Sequence, residues 1–177
     1  MWLGRRAGES RFSSLEVARR LDQLFAKQNP WEEIRQLKAA FAILGTDTEL
    51  YLCFIVIYLL ALKEGFRLAR IRPASSRMAE ITRHLTEALL SQQHPFGLAS
   101  MDPDAVPKRF GEIKKRLFAV WGTSQGKAPG PDWYVAEEVC FMLNGDKKKP
   151  PSGFVFKLSF LMTTYTNLMK GLLEKLS

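Results

Sequence analysis

The sequence predicts an all-α protein, a single-domain bundle of about six or seven helices around a buried apolar central helix at residues 50–62. Three observations predict this fold. Apolar residues recur at spacings of three and four between breaks made by Gly, Pro and Asn, as they do in amphipathic helices. Residues 50–62 are instead apolar on every side, which is typical of a helix inside a protein. No internal repeat of about 20 to 50 residues is visible, so a solenoid is not expected.

The first two helices are marked by start and stop signals. The segment Ser13-Ser14-Leu15-Glu16 matches a capping box and is followed by apolar residues at helical spacing, so a helix should begin there. Asn29 precedes Pro30 and is expected to cap the second helix through its side chain. Residues 1–12 are expected to be a flexible N-terminus, and residues 13–177 are expected to form the helical domain.

A second capping box, Thr46 to Glu49, opens a third helix that contains the apolar run LYLCFIVIYLLAL. The helix can continue to about Arg72, because Pro73 disfavours helix for the residue before it. The run has thirteen residues, whereas crossing a bilayer needs about 20, so no transmembrane span is expected. The alternatives to a core helix are a membrane-surface segment, which we do not expect, and an apolar face kept for a partner.

Three more helices follow, separated by polar or Gly- and Pro-rich segments. They are predicted at about residues 76–92, at about residues 107–121, and from Asp132, which should cap its helix, to Asn144. Flexible loops are expected near residues 93–104, 122–131 and 145–153. Each amphipathic helix must bury its apolar stripe, and a shared central helix meets that need for all of them.

The last helix has two interpretations at its start. Its apolar residues follow a 3-4-3-4-3 spacing that predicts one continuous stripe: Phe154, Leu158, Leu161, Tyr165, Leu168 and Leu172. Phe154, Phe156, Leu158 and Phe160 also alternate, which is the pattern of a strand. A short extended start is therefore the alternative.

The sequence carries no recognisable catalytic, cofactor-binding or metal-binding motif. Cys53 and Cys140 both lie in apolar stretches and are expected to be reduced, buried thiols of a cytoplasmic protein. Gly126-Lys127 does not match a phosphate-binding loop. The motif needs a glycine at the position of Trp121, and a Ser or Thr after the lysine, where this chain has alanine. We therefore expect no cofactor, no metal and no enzymatic activity.

The best chemical constellation is Glu80, His84 and Glu87, whose spacings of four and three place them on one helix face. Metal ligands or an acid–base pair would need such a placement. That face lies opposite the apolar stripe of the same helix, so we expect the three side chains to point to solvent. A functional site would need a concave and partly desolvated setting.

Positive charge is the most informative remaining feature. The formal net charge is +8, and residues 63–127 contain twelve basic and six acidic side chains. Lys63, Arg67 and Arg70 are spaced to form one stripe on the third helix. The candidate macromolecule-binding residues are Lys63, Arg67, Arg70, Arg72, Arg77, Lys108, Arg109, Lys114, Lys115, Arg116, Lys147, Lys148, Lys149, Trp133 and Tyr134.

Two functions are compatible with these features. The first is a non-enzymatic helical binding protein, an adaptor or small subunit of a macromolecular assembly, whose partner is another protein or a second copy of the chain. The alternative is a helical nucleic-acid-binding subunit that contacts phosphates through residues 63–127, with Trp133 and Tyr134 stacking on unpaired bases. In a third interpretation, the basic residues are only the solvated faces of amphipathic helices.

Overall fold

A computed structural model describes residues 12–91, 102, 104–145 and 150–176. Within these residues the chain forms seven helices and no strand, which confirms the predicted all-α bundle. Their bounds are α1 Ser14–Lys27, α2 Pro30–Phe41, α3 Asp47–Leu68, α4 Ser75–Ser91, α5 Ala105–Thr123, α6 Pro131–Asn144 and α7 Ser152–Leu176. Residues 93–101 and 103 of one predicted loop, residues 146–149 of another and residues 1–11 of the predicted N-terminus lie outside the described residues.

Helix α3 is the centre of the bundle, as predicted. Every residue from Leu50 to Leu62 is buried. Helices α2, α4, α5, α6 and α7 all pack against α3. Helix α1 reaches it through Phe25, whose ring centroid lies 4.7 Å from that of Tyr58. Neighbours therefore cover residues 50–62 on all sides, which is why this stretch has no polar face, whereas Lys63 and Arg67 near the end of α3 are exposed. None of the described helices is long and apolar enough to cross a membrane.

The end of α3 differs from the prediction. The helix stops at Leu68 rather than near Arg72, because Arg70 adopts a left-handed conformation with φ of 58°. The amide of Ile71 then donates to the carbonyl of Phe66 at 3.1 Å, which closes the helix end. Arg70 consequently lies beyond the helix and does not continue the stripe of Lys63 and Arg67.

A cluster of aromatic side chains joins four helices in the core. It consists of Phe25 of α1, Trp31 of α2, Tyr51 and Tyr58 of α3, and Tyr165 of α7. The Tyr58 hydroxyl donates to the Leu21 carbonyl at 2.6 Å, and the Tyr51 hydroxyl donates to the Leu89 carbonyl at 3.2 Å. The Tyr165 hydroxyl is buried without a hydrogen-bond partner among the described residues.

Two of the four predicted helix caps are wrong. Ser13 accepts from the Glu16 amide and Thr46 forms a reciprocal capping box with Glu49, as expected. Asn29 instead adopts a left-handed conformation and its side chain makes no cap bond. Gly130 is the N-cap of α6, and Asp132 accepts bonds from α7 rather than capping its own helix.

Helix α7 is helical from Ser152 onward, so the alternative of an extended start is wrong. Its buried stripe also shifts along its length. Leu168 is 36% exposed, whereas Met162 and Met169 are buried. The predicted residues follow a seven-residue repeat, and such a repeat drifts by about 20° per heptad around a straight α-helix. Residues one position away therefore take over the core contact in the second half of the helix.

Candidate functional site

The outward face of α7 leaves two large apolar side chains in solvent. Phe156 and Phe160 are 65% and 62% exposed and lie one helical turn apart. Together with Thr164 and Leu168 they form a row with a spacing of four residues, which we call the exposed ridge. The other exposed leucines, at positions 15, 44 and 68, belong to α1, the α2–α3 connection and α3. Isolated apolar residues of that kind are ordinary, whereas a continuous row on one helix is typical of a binding surface.

The middle of α7 is unusual for a helix with a solvent-facing side. Residues 158–169 contain no Asp, Glu, Lys or Arg, although surface helices usually carry charges on their outer face. The Thr164 hydroxyl donates to the Phe160 carbonyl of its own helix at 2.9 Å. That bond satisfies the hydroxyl within the helix. The ridge is thus apolar in character as well as uncharged.

Charged groups on both sides of the ridge already have partners in the same chain. On the α2 side, Lys157 lies 3.9 Å from the Glu33 carboxylate and 3.4 Å from the side-chain oxygen of Gln36. On the α6 side, Asp132 accepts from the hydroxyls of Ser159 and Thr163, each at 3.1 Å. The ridge therefore lies between α2 and α6, whose nearest charges point at α7 rather than outward.

Two of the predicted basic residues come together around one aromatic ring. The ammonium nitrogens of Lys63 on α3 and Lys114 on α5 lie 6.0 and 5.9 Å from the centroid of Phe118. At these distances each cation is attracted to the ring face. This is the one place in the described residues where candidates from α3 and α5 share an aromatic partner.

Three of the predicted arginines are engaged by acids. Arg67 pairs with Glu64, and Arg116 of α5 pairs with Glu138 of α6. Arg109 lies 2.9 Å from Glu49 and 3.2 Å from Glu112. Burial, which lowers the pKa of Arg109, is outweighed by its hydrogen bonds to the two carboxylates, so the pKa is raised. Neutralised arginines attract phosphate less than free ones do.

The remaining basic candidates are spread over several elements. Arg77 donates to the Phe12 carbonyl at 2.6 Å and so holds the start of the described chain against α4. The other four described candidates are exposed and form no ion pair within the described part of the chain: Arg70, Arg72, Lys108 and Lys115. Lys147, Lys148 and Lys149 lie outside the described residues.

The two aromatic candidates are both half-buried at the start of α6. The Trp133 indole donates to Glu137 at 3.0 Å, one turn later. The Tyr134 hydroxyl donates to the Ala128 carbonyl at 2.7 Å, so it ties the preceding loop to the helix. Each therefore has a structural partner, and their stacking on bases stays a prediction.

A shallow groove of about 450 Å³ lies between α4 and α5. It is lined by Ala79, Thr82, Arg83, Thr86, Glu87 and Lys114. Glu87 lies 2.9 Å from Arg83, which neutralises one of the two cations in the groove. The groove brings Arg83, absent from the sequence-derived candidates, close to Lys114.

The Glu80–His84–Glu87 constellation does not form a metal site. Glu80 accepts from the Ser14 hydroxyl of α1 at 2.9 Å, and His84 is half-buried rather than pointing freely to solvent. No group of three His, Cys, Asp or Glu residues able to hold a metal was found in the part of the chain that the structure describes.

The two thiols are buried and free, as expected. Burial raises the pKa of Cys53 to about 12 and raises that of Cys140 as well. Both are therefore protonated near neutral pH, which makes them poor nucleophiles and poor metal ligands.

No family model, no curated protein and no solved structure matches this chain. The apolar pattern of residues 154–173 allowed a face open to a partner, but it did not identify Phe156 and Phe160 as the exposed residues, because both also fitted the alternative of a strand. The signal that could have found the exposed ridge is the absence of charge over residues 158–169.

Proposed function

We propose that this chain is a non-enzymatic binding protein, an adaptor or small subunit of an assembly, which contacts another protein chain through the exposed ridge. One observation carries the proposal: Phe156 and Phe160 stand in water on a helix whose middle has no charge. When a helix packs into a groove or against another helix, it buries residues that are spaced four apart, as the ridge residues are. Aromatic side chains are also enriched at the energetic centres of protein interfaces.

The apolar area supports a contact of useful strength. A phenylalanine has about 150–250 Å² of surface, so each ridge phenylalanine exposes about 120 Å². Covering both would contribute about 6 kcal/mol at roughly 25 cal/mol per Å². Association costs about 4–15 kcal/mol in lost freedom, so the two rings offset a large part of that cost.

The test is site-specific photo-crosslinking in the cells that make the protein. A photoreactive amino acid at position 160 should yield discrete crosslinked protein bands, since that position lies inside the contact. The same amino acid at position 15 is the control, because Leu15 is also exposed but belongs to α1. Introducing Phe156→Glu should remove the bands from position 160. Equal crosslinking from both positions, or none from position 160, contradicts the proposal.

Nucleic-acid binding is the second candidate function, and it is favoured by the approach of Lys63 and Lys114 around Phe118. Phosphate contacts would make binding to a labelled single-stranded oligonucleotide fall steeply with salt. Lys63→Glu with Lys114→Glu should lower the magnitude of the slope of log K against log salt by roughly 1.4, about 0.7 for each lost phosphate contact.

The matched control for that experiment is Lys27→Glu with Lys175→Glu. These lysines are exposed on α1 and α7, outside residues 63–127, and the pair changes the net charge by the same amount. If both double variants weaken binding equally, the attraction is only that of net charge. Undetectable binding at low salt rejects this candidate function.

A further inference from the structure

We infer that the chain covering the exposed ridge is a second copy of this protein, packed ridge against ridge about a two-fold axis. The inference rests on the proposed function and names its partner. A two-fold contact places the same residues of both copies opposite one another. The surface must therefore be complementary to itself in charge and in shape.

Charge is the first requirement, and the ridge meets it. Two copies of a lysine-rich surface would repel each other, but α7 has no charged residue between Lys157 and Lys170. Lys157 lies 3.9 Å from Glu33 and Lys170 lies 3.7 Å from Glu174. The charges at both ends of the ridge are thus balanced within each copy. A partner of strong charge would find nothing complementary here.

The basic segment of the chain is also kept away from such a contact. Helix α7 packs on α2, α3 and α6, whereas most of the positive charge of residues 63–127 lies on α4 and α5. Because neither α4 nor α5 is a principal neighbour of α7, two copies can meet through α7 without bringing the basic segments together. The net charge of +8 then opposes association only over a long distance, where salt screens it.

Shape is the second requirement. The ridge residues follow the four-residue spacing that packs helices at a crossing angle of about −50°. In an antiparallel crossing centred between Phe160 and Thr164, Phe156 of one copy meets Leu168 of the other, and Phe160 meets Thr164. Each large ring then faces a smaller side chain, and none of these contacts involves a charge.

The exposed apolar area predicts a weak dimer. The four exposed phenylalanine side chains of two copies present about 480 Å², which is less than half of the roughly 1,200–2,000 Å² that a standard interface buries. Exposed residues beside the ridge add contact area, among them Thr163 and Asn167. We therefore expect a dimer that dissociates on dilution.

The test is sedimentation velocity on the full chain over a range of protein concentrations. The wild type should sediment as a dimer that dissociates on dilution. Phe156→Glu with Phe160→Glu should weaken dimerisation at least about 100-fold, because every dimer loses four apolar contacts and buries four carboxylates against uncharged side chains. Leu15→Glu is the matched control, because it also replaces an exposed apolar residue by Glu, and it should leave the dimer unchanged.

Each outcome decides the inference. A wild type that stays monomeric at every concentration overturns it, and so does a dimer that the double variant leaves intact. Circular dichroism checks that the variants fold, and Phe160→Gln serves as an uncharged second variant with a smaller expected loss. Failure here is distinguishable from failure of the proposed function, since a monomer whose position 160 still crosslinks to a different protein keeps that function.

Discussion

Replacing each of two core tyrosines by phenylalanine should change stability in opposite directions. Tyr58 and Tyr165 pack edge to face with their ring centroids 5.5 Å apart, and both are buried. The Tyr58 hydroxyl donates to the Leu21 carbonyl at 2.6 Å, whereas the Tyr165 hydroxyl has no hydrogen-bond partner among the described residues. The substitution removes one oxygen atom in each case and keeps the ring.

The magnitudes follow from what each hydroxyl does. Loss of the Tyr58 hydrogen bond should lower the free energy of unfolding by about 1 kcal/mol, since the Leu21 carbonyl lies within α1 and keeps its helical bond. Removal of the unsatisfied Tyr165 hydroxyl should raise it by about 1–3 kcal/mol, which is the usual penalty for such a group. The two variants should therefore differ by about 2–4 kcal/mol.

Thermal unfolding followed by circular dichroism measures this difference. A chain of this length shifts its Tm by about 2–4 °C per kcal/mol, so the Tm of Tyr165→Phe should exceed that of Tyr58→Phe by roughly 4–16 °C. Urea unfolding gives the free energies independently. Equal destabilisation by both substitutions would refute the reasoning, because it would mean that the Tyr165 hydroxyl also has a partner.

Three further predictions concern close packing, backbone strain and alkaline pH. Gly65→Ala should lower the free energy of unfolding by about 1–2 kcal/mol, because the new methyl would lie 3.0 Å from the Cβ of Met169 and overpacking exceeds the gain in helix propensity. Gly111→Ala, with open space around it, should raise that free energy by about 0.5–1 kcal/mol. If urea unfolding showed Gly65→Ala to be more stable than Gly111→Ala, that result would contradict the packing of α3 on α7. Ala42→Gly should raise the free energy of unfolding by about 0.5–1 kcal/mol, since Ala42 is exposed and left-handed with φ of 50°, and no gain in Tm would argue against that conformation. Burial raises the pKa of the three core tyrosines above the ordinary value of 10.0. Above about pH 10 the unfolded chain therefore binds fewer protons than the folded one, and the free energy of unfolding should fall by about 4 kcal/mol per pH unit. A free energy of unfolding that stays constant from pH 10 to about pH 11.5 would exclude these raised pKa values.

The core of the bundle could be predicted from the sequence because the local spacing of apolar residues indicates which face of each helix is buried. The all-apolar run of residues 50–62 can bury its surface on every side only at the centre of the bundle, and the amphipathic helices must turn their apolar stripes toward it. Neither statement needs any knowledge of which helix neighbours which. Contacts between distant residues, in contrast, could not be predicted this way.

Asp132 illustrates that limit. Its position after Pro131 suits a helix start, but two hydroxyls of α7 compete for its carboxylate and bind it. Arg109 and Arg116 were candidate macromolecule-binding residues, and each pairs with an acid of another helix, Glu49 of α3 and Glu138 of α6. These outcomes depend on the packing of α3, α5, α6 and α7, which local spacing does not encode.

The candidate site was even less visible in the sequence. A phenylalanine on an apolar helix looks the same whether its neighbours are in the same chain or in another one. Only the three-dimensional arrangement separates Phe154, which is buried, from Phe156, which is 65% exposed. The sequence allowed an uncovered face on the last helix, but it did not show which side chains would form that face, and a binding function stays a prediction.

The central position of α3 also sets the order in which this protein can complete its fold during synthesis. Helix α7, a principal neighbour of α3, begins about 90 residues after Leu62. At about 5–20 residues per second, the ribosome takes roughly 5 to 20 s to make that stretch. During this time the apolar stretch of residues 50–62 is incompletely covered. The growing chain therefore exposes part of its most apolar segment until α7 packs against it.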